Sequence, residues 1–343
     1  MTEVALDLRV RGGKPSSFVR TSLAHEAALE AAGVPWIGWD GGPVPAPVLW
    51  HPVAELDRAA SGVARVPTLH DVSPLLPDPR PAPVRWRRAR RFRRRLARLA
   101  RDGAAFAAVS EDVRRRVLEL HPELDGRIVV VPHHPAPAMR PLTAPERASA
   151  LEPLGLEEGF VLFVSALRRH KNWEGALAAF AALPEPLRRR HPLVLVGDRR
   201  RAGRRPERLA VRLGLDPGQV RLLGAVGDDL LPALYGAAAV LIHPSFGEGF
   251  GLPVLEAMAC GAPVVVSANT ALPEVAGGAG SYGDPWAPRS FTPALRRHLE
   301  DEGFRAERAA AALRRAAAFT PERSGHAARE LLAVARAAAE RTM

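Results

Sequence analysis

The sequence predicts an α/β fold built from two doubly wound, Rossmann-like domains that face each other across a cleft. Three observations lead to this prediction. The chain has 343 residues, enough for two domains with separate cores. Short apolar segments of strand length alternate with helical segments, which is typical of parallel sheets covered by helices. A proline- and alanine-rich stretch interrupts the alternation once, and the alternation then begins again.

The first alternation covers the N-terminal part of the chain. Its predicted helices span residues 18–32, ending before Gly33, and residues 111–120. The glycine- and proline-rich segment Gly41–Pro47 is predicted as a loop. The apolar segments predicted as buried strands are Val4–Leu8, Trp36–Trp39, Val66–Asp71, Ala105–Ser110 and Arg127–Pro132.

The second alternation follows a linker that we place within His133–Glu158, where no strand pattern is found. The predicted domains are residues 1–140 and 141–320, and residues 321–343 form a terminal helix. Ligands of doubly wound sheets bind at the carboxyl ends of the strands, so the site is expected on the turns that follow them. The strands predicted for the second domain are Phe160–Ser165, Leu193–Gly197, Val220–Gly224, Val240–His243 and Pro263–Ser267.

A glycine-rich turn follows the strand that ends at His243. Its three glycines lack a Cβ, which lets backbone N–H groups approach a ligand closely. A short buried helix is predicted from Leu252 to Cys260, with Pro253 in its first turn and Gly261 as its stop. A helix N-terminus binds phosphate readily because its N–H groups are free and its dipole end is positive. The glycines of the turn are Gly247, Gly249 and Gly251.

Two carboxylates flank this turn, Glu248 within it and Glu256 one helical turn farther on. One carboxylate near a phosphate and one beyond it would suit a sugar nucleotide, whose hexose and ribose both offer paired hydroxyls. The stretch Pro244–Val266 resembles, nearly residue for residue, the E-x7-E signature of the family 4 retaining glycosyltransferases of the GT-B fold. The resemblance implies the GT-B fold, with a C-terminal helix that crosses back onto the first domain.

The resemblance also implies roles for particular residues. Glu248 would position a hydroxyl of the transferred sugar, and Glu256 would hold the ribose diol. Lys171 matches the lysine that holds the donor diphosphate, whereas Ala166 stands where the family carries an arginine, so Arg168 or Arg169 is a candidate replacement. The remaining donor-binding residues implied by the resemblance are Gly249, Phe250, Gly251, Leu252, Gly224 and Val226.

His70 and Asp71 end a predicted strand and resemble the His-Asp turn of mannosyl- and rhamnosyl-transferring members of the family. The resemblance implies that His70 approaches the donor sugar from the opposite domain. On this basis the donor is expected to be GDP-mannose, with dTDP-rhamnose or a UDP-hexose as alternatives. The acceptor stays open: it could belong to a polysaccharide, a glycolipid or a glycosylated metabolite.

A second hypothesis assigns the chain to a different class. Three features are compatible with a catalytically inactive GT-B binding or scaffold protein: the missing arginine at Ala166, the loss of family glycines at Ser17 and Val19, and the arginine-rich segment Arg85–Arg101. The intact pair Glu248 and Glu256, together with Lys171, favours a metal-independent, retaining hexosyltransferase. Catalytic roles are therefore expected for Glu248, His70 and Lys171.

The formal net charge of +11 indicates anionic partners. Much of the positive charge lies in Arg85–Arg101. The residues that recur there at helical spacing are Trp86, Ala89, Phe92 or Arg93, Leu96 and Leu99. Three interpretations of this basic helix stay open: a solvated helix face, a contact with an anionic membrane surface, and nucleic-acid binding, which is the least favoured because no nucleic-acid motif accompanies the charge.

Other features of the sequence limit which cofactors and which cellular location we expect. No Asp-x-Asp motif follows a strand and no His/Cys cluster has zinc spacing, so we expect no metal and no cofactor, only a nucleotide-sugar co-substrate. The single cysteine, Cys260, fits a reducing compartment and is predicted to be a small buried residue. Without a secretory signal pattern, a cytoplasmic location is expected, peripheral on the inner face of the cell membrane if the basic helix binds lipid.

Overall fold

The computed structural model describes residues 2–9, 17–41, 43–52, 63–70, 81–102, 104–200 and 202–340. The chain divides into two compact units. Unit 1 consists of residues 1–136 and 319–343, and unit 2 consists of residues 137–318. Each unit contains a six-stranded parallel sheet flanked by helices.

The sheet of unit 1 has the strand order β2-β1-β3-β4-β5-β6, and every strand pairing recorded in it is parallel. Its inner strands are buried almost continuously, because helices cover both faces of such a sheet. The strands are β1 (Val4–Asp7), β2 (Trp36–Trp39), β3 (Val48–His51), β4 (Ala64–Leu69), β5 (Phe106–Ala108) and β6 (Ile128–Val130).

The helices of unit 1 are α1 (Ser17–Ala31), α2 (Ala82–Arg101), α3 (Glu111–Leu118) and α13 (Pro321–Glu340). Helix α13 follows unit 2 in the chain but packs on α1 and the sheet of unit 1. Leu331 and Leu332 of α13 are buried with Leu29 and Trp50 in one apolar cluster. Ser324 Oγ donates a 2.7 Å hydrogen bond to the Pro132 carbonyl. The predicted terminal helix is therefore present and returns to the first unit.

The sheet of unit 2 has the strand order β12-β11-β10-β7-β8-β9, and its recorded pairings are parallel. Its core packs Phe163, Ile242 and neighbouring strand residues against Trp173, Phe180 and Leu295 from the helices. The strands are β7 (Val161–Val164), β8 (Leu193–Val196), β9 (Val220–Gly224), β10 (Val240–His243), β11 (Val264–Ser267) and β12 (Ser281–Gly283).

The helices of unit 2 alternate with these strands, as doubly wound topology requires. They are α4 (Ala144–Leu151), α5 (Trp173–Ala181), α6 (Glu185–Arg190), α7 (Arg205–Arg212), α8 (Leu231–Ala237), α9 (Leu252–Ala259), α10 (Leu272–Ala276), α11 (Thr292–Glu300) and α12 (Glu302–Ala316).

The basic helix differs from its predicted packing at its N-terminal end. Leu96 and Leu99 of α2 are buried, as their spacing predicts, but the Trp86 side chain is 63% exposed. The guanidinium of Arg90 lies 5.4 Å from the centre of the Trp86 ring. The apolar stripe therefore packs only near the C-terminal end of α2, and Trp86 presents an aromatic surface among arginines. Asp71, predicted at the end of β4, lies outside the described residues.

Candidate active site

The glycine-rich turn joins β10 to α9. Gly251 is the residue before α9 and has φ +106°, in the left-handed region that favours glycine. A Cβ at this position would lie 2.6 Å from Leu272 Cδ2, so space as well as conformation requires glycine. Helix α9 begins at Leu252 with Pro253 in its first turn, which leaves the backbone N–H groups at Gly251 and Leu252 as the donors available to an anion.

A second turn, Arg169–Lys171, docks against the glycine-rich turn. The His170 carbonyl accepts hydrogen bonds of 2.9 Å from the Phe246 N–H and from Ser245 Oγ. Next in the chain, Asn172 has φ +54° and is buried. Its amide donates to the carbonyls of Pro244 and Pro285, both at 2.9 Å. These hydrogen bonds thus connect the turns that follow β7, β10 and β12.

This docking places Lys171 against Glu248. Lys171 Nζ lies 2.8 Å from Glu248 Oε1 and 2.7 Å from Oε2. The lysine side chain is 21% exposed and the glutamate side chain 9%. Burial by itself raises the pKa of Glu248, but the Lys171 charge and the hydrogen bonds from His243 and Lys171 outweigh it and hold this pKa well below its usual range. Glu248 is therefore an ionised, nearly buried carboxylate beside a partly accessible ammonium group.

Two residues that the sequence did not single out also hold Glu248. His243, at the end of β10, is fully buried, and its Nε2 lies 2.8 Å from Glu248 Oε1. Thr270 Oγ1 accepts a 3.1 Å hydrogen bond from the Glu248 backbone N–H. Thr270 has φ +52°, which is uncommon for a β-branched residue. The position of His243 at the end of an apolar strand predicts a core residue. No sequence pattern links Thr270 to the glycine-rich turn.

Glu256 lies one turn inside α9 and is 3% exposed. The hydroxyl of Tyr235 donates a 2.9 Å hydrogen bond to Glu256 Oε2, a partner that the sequence did not reveal. Cys260, at the end of the same helix, is buried, and burial with the Glu256 charge raises its pKa to about 12. This agrees with the prediction that Cys260 is an inert buried residue.

The other residues predicted to bind the donor lie on neighbouring turns. Gly249 and Phe250 are buried in the glycine-rich turn. Gly224 ends β9 with φ +75°, its carbonyl accepts a 2.7 Å hydrogen bond from the Gly197 N–H, and half-buried Val226 follows it. Arg168 is exposed and contributes, after Arg200, to lowering the pKa of Asp198 to about 2. Of the residues predicted to be catalytic, Lys171 and Glu248 both lie in unit 2, and they contact each other there.

His70 belongs to unit 1, where it stands next to other histidines. Its Nε2 donates to the Pro52 carbonyl, and its ring lies 5.9 Å from that of His133. The His133 ring lies 6.4 Å from that of His25, which in turn stacks on Trp50 at 4.3 Å. Burial, and then the neighbouring histidines, lower the pKa of His133 to about 3.

The described residues contain no group of three or more His, Cys, Asp or Glu side chains placed to hold a metal ion. Among them, no helix combines the length and the apolar character that a membrane crossing needs.

Known proteins resemble the chain in sequence. The chain is 41% identical over 167 residues to O-antigen chain mannosyltransferase B of Escherichia coli, covering 48% of the chain and 43% of that protein. It is 34% identical over 255 residues to a D-inositol 3-phosphate glycosyltransferase of a Nocardioides species, covering 69% of the chain and 54% of that protein. The chain thus spans less than two thirds of the length of these relatives.

Solved structures resemble the chain in fold. Anabaena HepE, crystallised in complex with UDP and glucose, superposes with a TM-score of 0.77 at 18% identity, covering 97% of this chain and all of that one. WaaG, a glycosyltransferase involved in lipopolysaccharide biosynthesis, superposes with a TM-score of 0.67 at 19% identity and covers 99% of each chain. These likenesses confirm the predicted GT-B fold class.

The sequence match to a family model falls on the unit that contains Lys171, Glu248 and Glu256. That model is described as glycosyl transferases group 1 and covers residues 147–315. The match therefore includes both docked turns and helix α9. Residues 147–315 of the chain thus match the glycosyl transferases group 1 family.

Proposed function

We propose that the chain transfers a hexose, with mannose from GDP-mannose favoured, from a nucleotide sugar to an acceptor hydroxyl and with retention of anomeric configuration. The observation that carries the proposal is the contact between Lys171 and Glu248 beside the glycine-rich turn that opens α9. The contact supplies a cation for a departing diphosphate and an ionised carboxylate for a sugar hydroxyl at one place.

The departing diphosphate is assigned to Lys171 and to the N–H groups at Gly251 and Leu252. Glycosyl transfer passes through an oxocarbenium-like transition state in which negative charge grows on the leaving group. Fixed positive charge and oriented N–H dipoles lower the energy of that state. Arg168, exposed three residues before Lys171, is the candidate for a second phosphate contact.

The sugar and the ribose are assigned to the two carboxylates. Glu248 accepts a hydrogen bond from a hydroxyl of the transferred sugar, and Glu256 binds the ribose diol. Glu248 is already paired with Lys171, so donor binding has to draw the ammonium group toward the diphosphate. We also propose that His70, a residue of unit 1, contacts the donor sugar.

The chemistry proposed needs no covalent intermediate. The leaving phosphate assists attack of the acceptor on the face that it vacates, takes up the hydroxyl proton, and leaves as nucleoside diphosphate. No metal ion is assigned a role, so we expect turnover to persist in EDTA. Activity that is abolished by chelation and restored by magnesium would contradict this part of the proposal.

Mannose is favoured because several relatives are named mannosyltransferases. dTDP-rhamnose and a UDP-hexose are the alternative donors. The acceptor hydroxyl is proposed to belong to a polysaccharide, a glycolipid or a glycosylated metabolite. A peripheral position on the inner face of the cell membrane is proposed through α2, whose exposed Trp86 stands among arginines.

The first experiment measures thermal stabilisation and hydrolysis or transfer with GDP-mannose, dTDP-rhamnose and UDP-glucose. We expect the largest stabilisation and turnover with GDP-mannose. Glu248→Gln should lower turnover about 10²-fold, because one well-placed polar contact is lost. Nucleoside diphosphate binding should not weaken, because Lys171 no longer faces a competing carboxylate charge. Glu300→Gln, an exposed carboxylate paired with Arg296, is the control and should keep full activity. Absence of turnover with all three donors would favour the inactive scaffold.

A further inference from the structure

His243 reaches the proposed catalytic carboxylate from inside unit 2. It is the last residue of β10, and its ring is fully buried with a centre 6.2 Å from that of Phe163. Its Nε2 lies 2.8 Å from Glu248 Oε1. Because a carboxylate only accepts hydrogen bonds, Nε2 is the donor. Nδ1 of the same ring is buried and, among the described residues, has no hydrogen-bond partner.

The carboxylate of Glu248 has two protein donors of different character. Lys171 Nζ bridges both carboxylate oxygens and is partly exposed, whereas His243 contacts Oε1 alone and is inaccessible. A diphosphate can draw the lysine away, since it arrives from solvent with more negative charge than one carboxylate. Nothing that arrives from solvent can reach the His243 ring without unpacking β10.

We infer that His243 is a positioning residue: it keeps Glu248 Oε1 in place when Lys171 moves to the donor diphosphate, and so leaves Oε2 open to a sugar hydroxyl. The inference rests on the proposed function. Thr270 Oγ1 supports the same arrangement by fixing the backbone N–H of Glu248. Because the His243 ring is buried, its hydrogen bond to Glu248 stays in place when the donor binds. Supporting hydrogen bonds of this kind hold reactive groups in a productive orientation.

An ordinary core role for His243 makes different predictions. If the ring only fills space beside Phe163, an apolar side chain of similar volume should replace it without effect on chemistry. If it positions Glu248, the loss of its N–H should lower turnover selectively. It should also raise the pKa of the Glu248 carboxyl, because a hydrogen bond to the charged form is removed.

The test compares His243→Leu, which lacks a donor, with His243→Gln, whose amide nitrogen can lie near the position of Nε2. We measure kcat and KM for the nucleotide sugar, nucleoside diphosphate affinity by calorimetry, and kcat from pH 4 to pH 8. For His243→Leu we expect kcat to fall about 10²-fold, nucleoside diphosphate affinity to stay within about threefold of wild type, and the acid limb of kcat to move toward neutral pH. His243→Gln should restore most of both kcat and the acid limb.

The outcomes separate the inference from the proposed function. Wild-type protein that transfers no hexose from any nucleotide sugar overturns both. Wild-type turnover with an unimpaired His243→Leu variant overturns the inference alone. If His243→Leu does not fold, His243→Asn takes its place, since its shorter amide cannot reach Oε1. Equal kcat values in the Asn and Gln variants would then overturn the inference.

Discussion

At the residue scale, the buried carboxylates of this protein are held by specific partners. Asp7 accepts hydrogen bonds of 2.9 Å from His51 Nδ1 and from Arg9 Nη2. Burial favours the protonated form of Asp7, but the hydrogen bonds from His51 and Arg9 outweigh it and hold its pKa well below the usual range. A carboxylate of this kind contributes stability only while it is ionised.

Asp7→Asn should therefore lower the free energy of unfolding by about 1–3 kcal/mol at pH 7, because it removes a buried charge that accepts hydrogen bonds from His51 and from the partly exposed Arg9. The loss should shrink below about pH 4, since the unfolded Asp7 becomes protonated there and the wild-type advantage disappears as pH falls further. Urea denaturation at pH 7 and pH 3 measures both values. A loss that is equal at the two pH values would contradict the assigned role of the Asp7 charge.

Glu256 carries the second residue-scale prediction. Glu256→Gln keeps an oxygen acceptor for the Tyr235 hydroxyl but removes the charge that the ribose diol would face. We expect about 10-fold weaker binding of nucleoside diphosphate, in the range of one hydrogen bond to a charged group, and unchanged binding of pyrophosphate, which has no ribose. Calorimetry measures the affinities of wild type and variant for nucleoside diphosphate and for pyrophosphate. Equal affinity of wild type and variant for nucleoside diphosphate would exclude the ribose contact.

The sequence identified some of these residues but not their pairings. Lys171, Glu248 and Glu256 stand in motifs that can be read along the chain. The contact between Lys171 and Glu248 joins residues 77 positions apart and depends on how two turns dock. His243 and Tyr235 lie in apolar surroundings that predict core residues, so no local pattern indicates that they bond to the two glutamates.

At the element scale, the start of α9 depends on a single backbone conformation. Gly251→Ala should destabilise unit 2 by about 1–3 kcal/mol and weaken nucleoside diphosphate binding, because a Cβ would crowd Leu272 and strain a positive φ. Gly278→Ala is the matched control, since its Cβ meets no atom within 4 Å. Thermal unfolding and calorimetry should show a loss for the first variant only. Similar behaviour of the two variants would argue against a special role for the turn.

Helix α2 is the second element that makes a prediction. If it binds anionic membranes, reversing three of its exposed arginines should weaken binding to anionic vesicles by about 10²-fold, since each contributes about 1 kcal/mol. The same reversal on α7 should have little effect. The α2 residues are Arg87, Arg91 and Arg94. The α7 controls are Arg204, the residue just before the helix, with Arg208 and Arg212.

Vesicle co-sedimentation and a DNA gel shift on these α2 and α7 variants separate the open interpretations of the basic helix. Wild-type binding to neither ligand would leave α2 as a solvated face. Retention on DNA with steep salt dependence would favour nucleic acid. Equal vesicle binding by the α2 and α7 variants would mean that the net charge of the protein, and not α2 in particular, determines binding to anionic vesicles.

Several strands were predictable from local apolar segments. Strand β10 and strand β9 have the predicted bounds, whereas β3 and β12 were missed. β3 follows a proline-rich loop and ends in histidine, and β12 is only Ser281–Gly283. Both owe their strand conformation to pairing with neighbouring strands, which is tertiary information that a local pattern lacks.

At the scale of the whole molecule, buried histidines make stability depend on pH. Burial lowers the pKa of His133 to about 3 in unit 1 and that of His298 to about 4 in unit 2. In the unfolded chain both groups bind protons near pH 6.5. Stability should therefore fall as pH drops below 6.5, and the fall should continue until the folded pKa is reached.

His133→Gln should reduce the dependence of unfolding free energy on pH by about 1.4 kcal/mol per pH unit between pH 6 and pH 4. His298→Gln should give a comparable reduction that ends near pH 4, because its folded pKa is higher. Denaturation at several pH values measures the slopes. An unchanged slope for His133→Gln would mean that the ring is protonated in the folded protein.

The return of helix α13 to unit 1 has a consequence for biosynthesis. About 180 residues of unit 2 separate the two parts of unit 1 in the chain, which the ribosome needs roughly 10–40 s to make. Until α13 emerges, the apolar surface that Leu331 and Leu332 cover on unit 1 stays open to other chains. Unit 2 is contiguous and can fold during translation, whereas unit 1 has to wait, so chaperone dependence and aggregation during synthesis should arise from the N-terminal half.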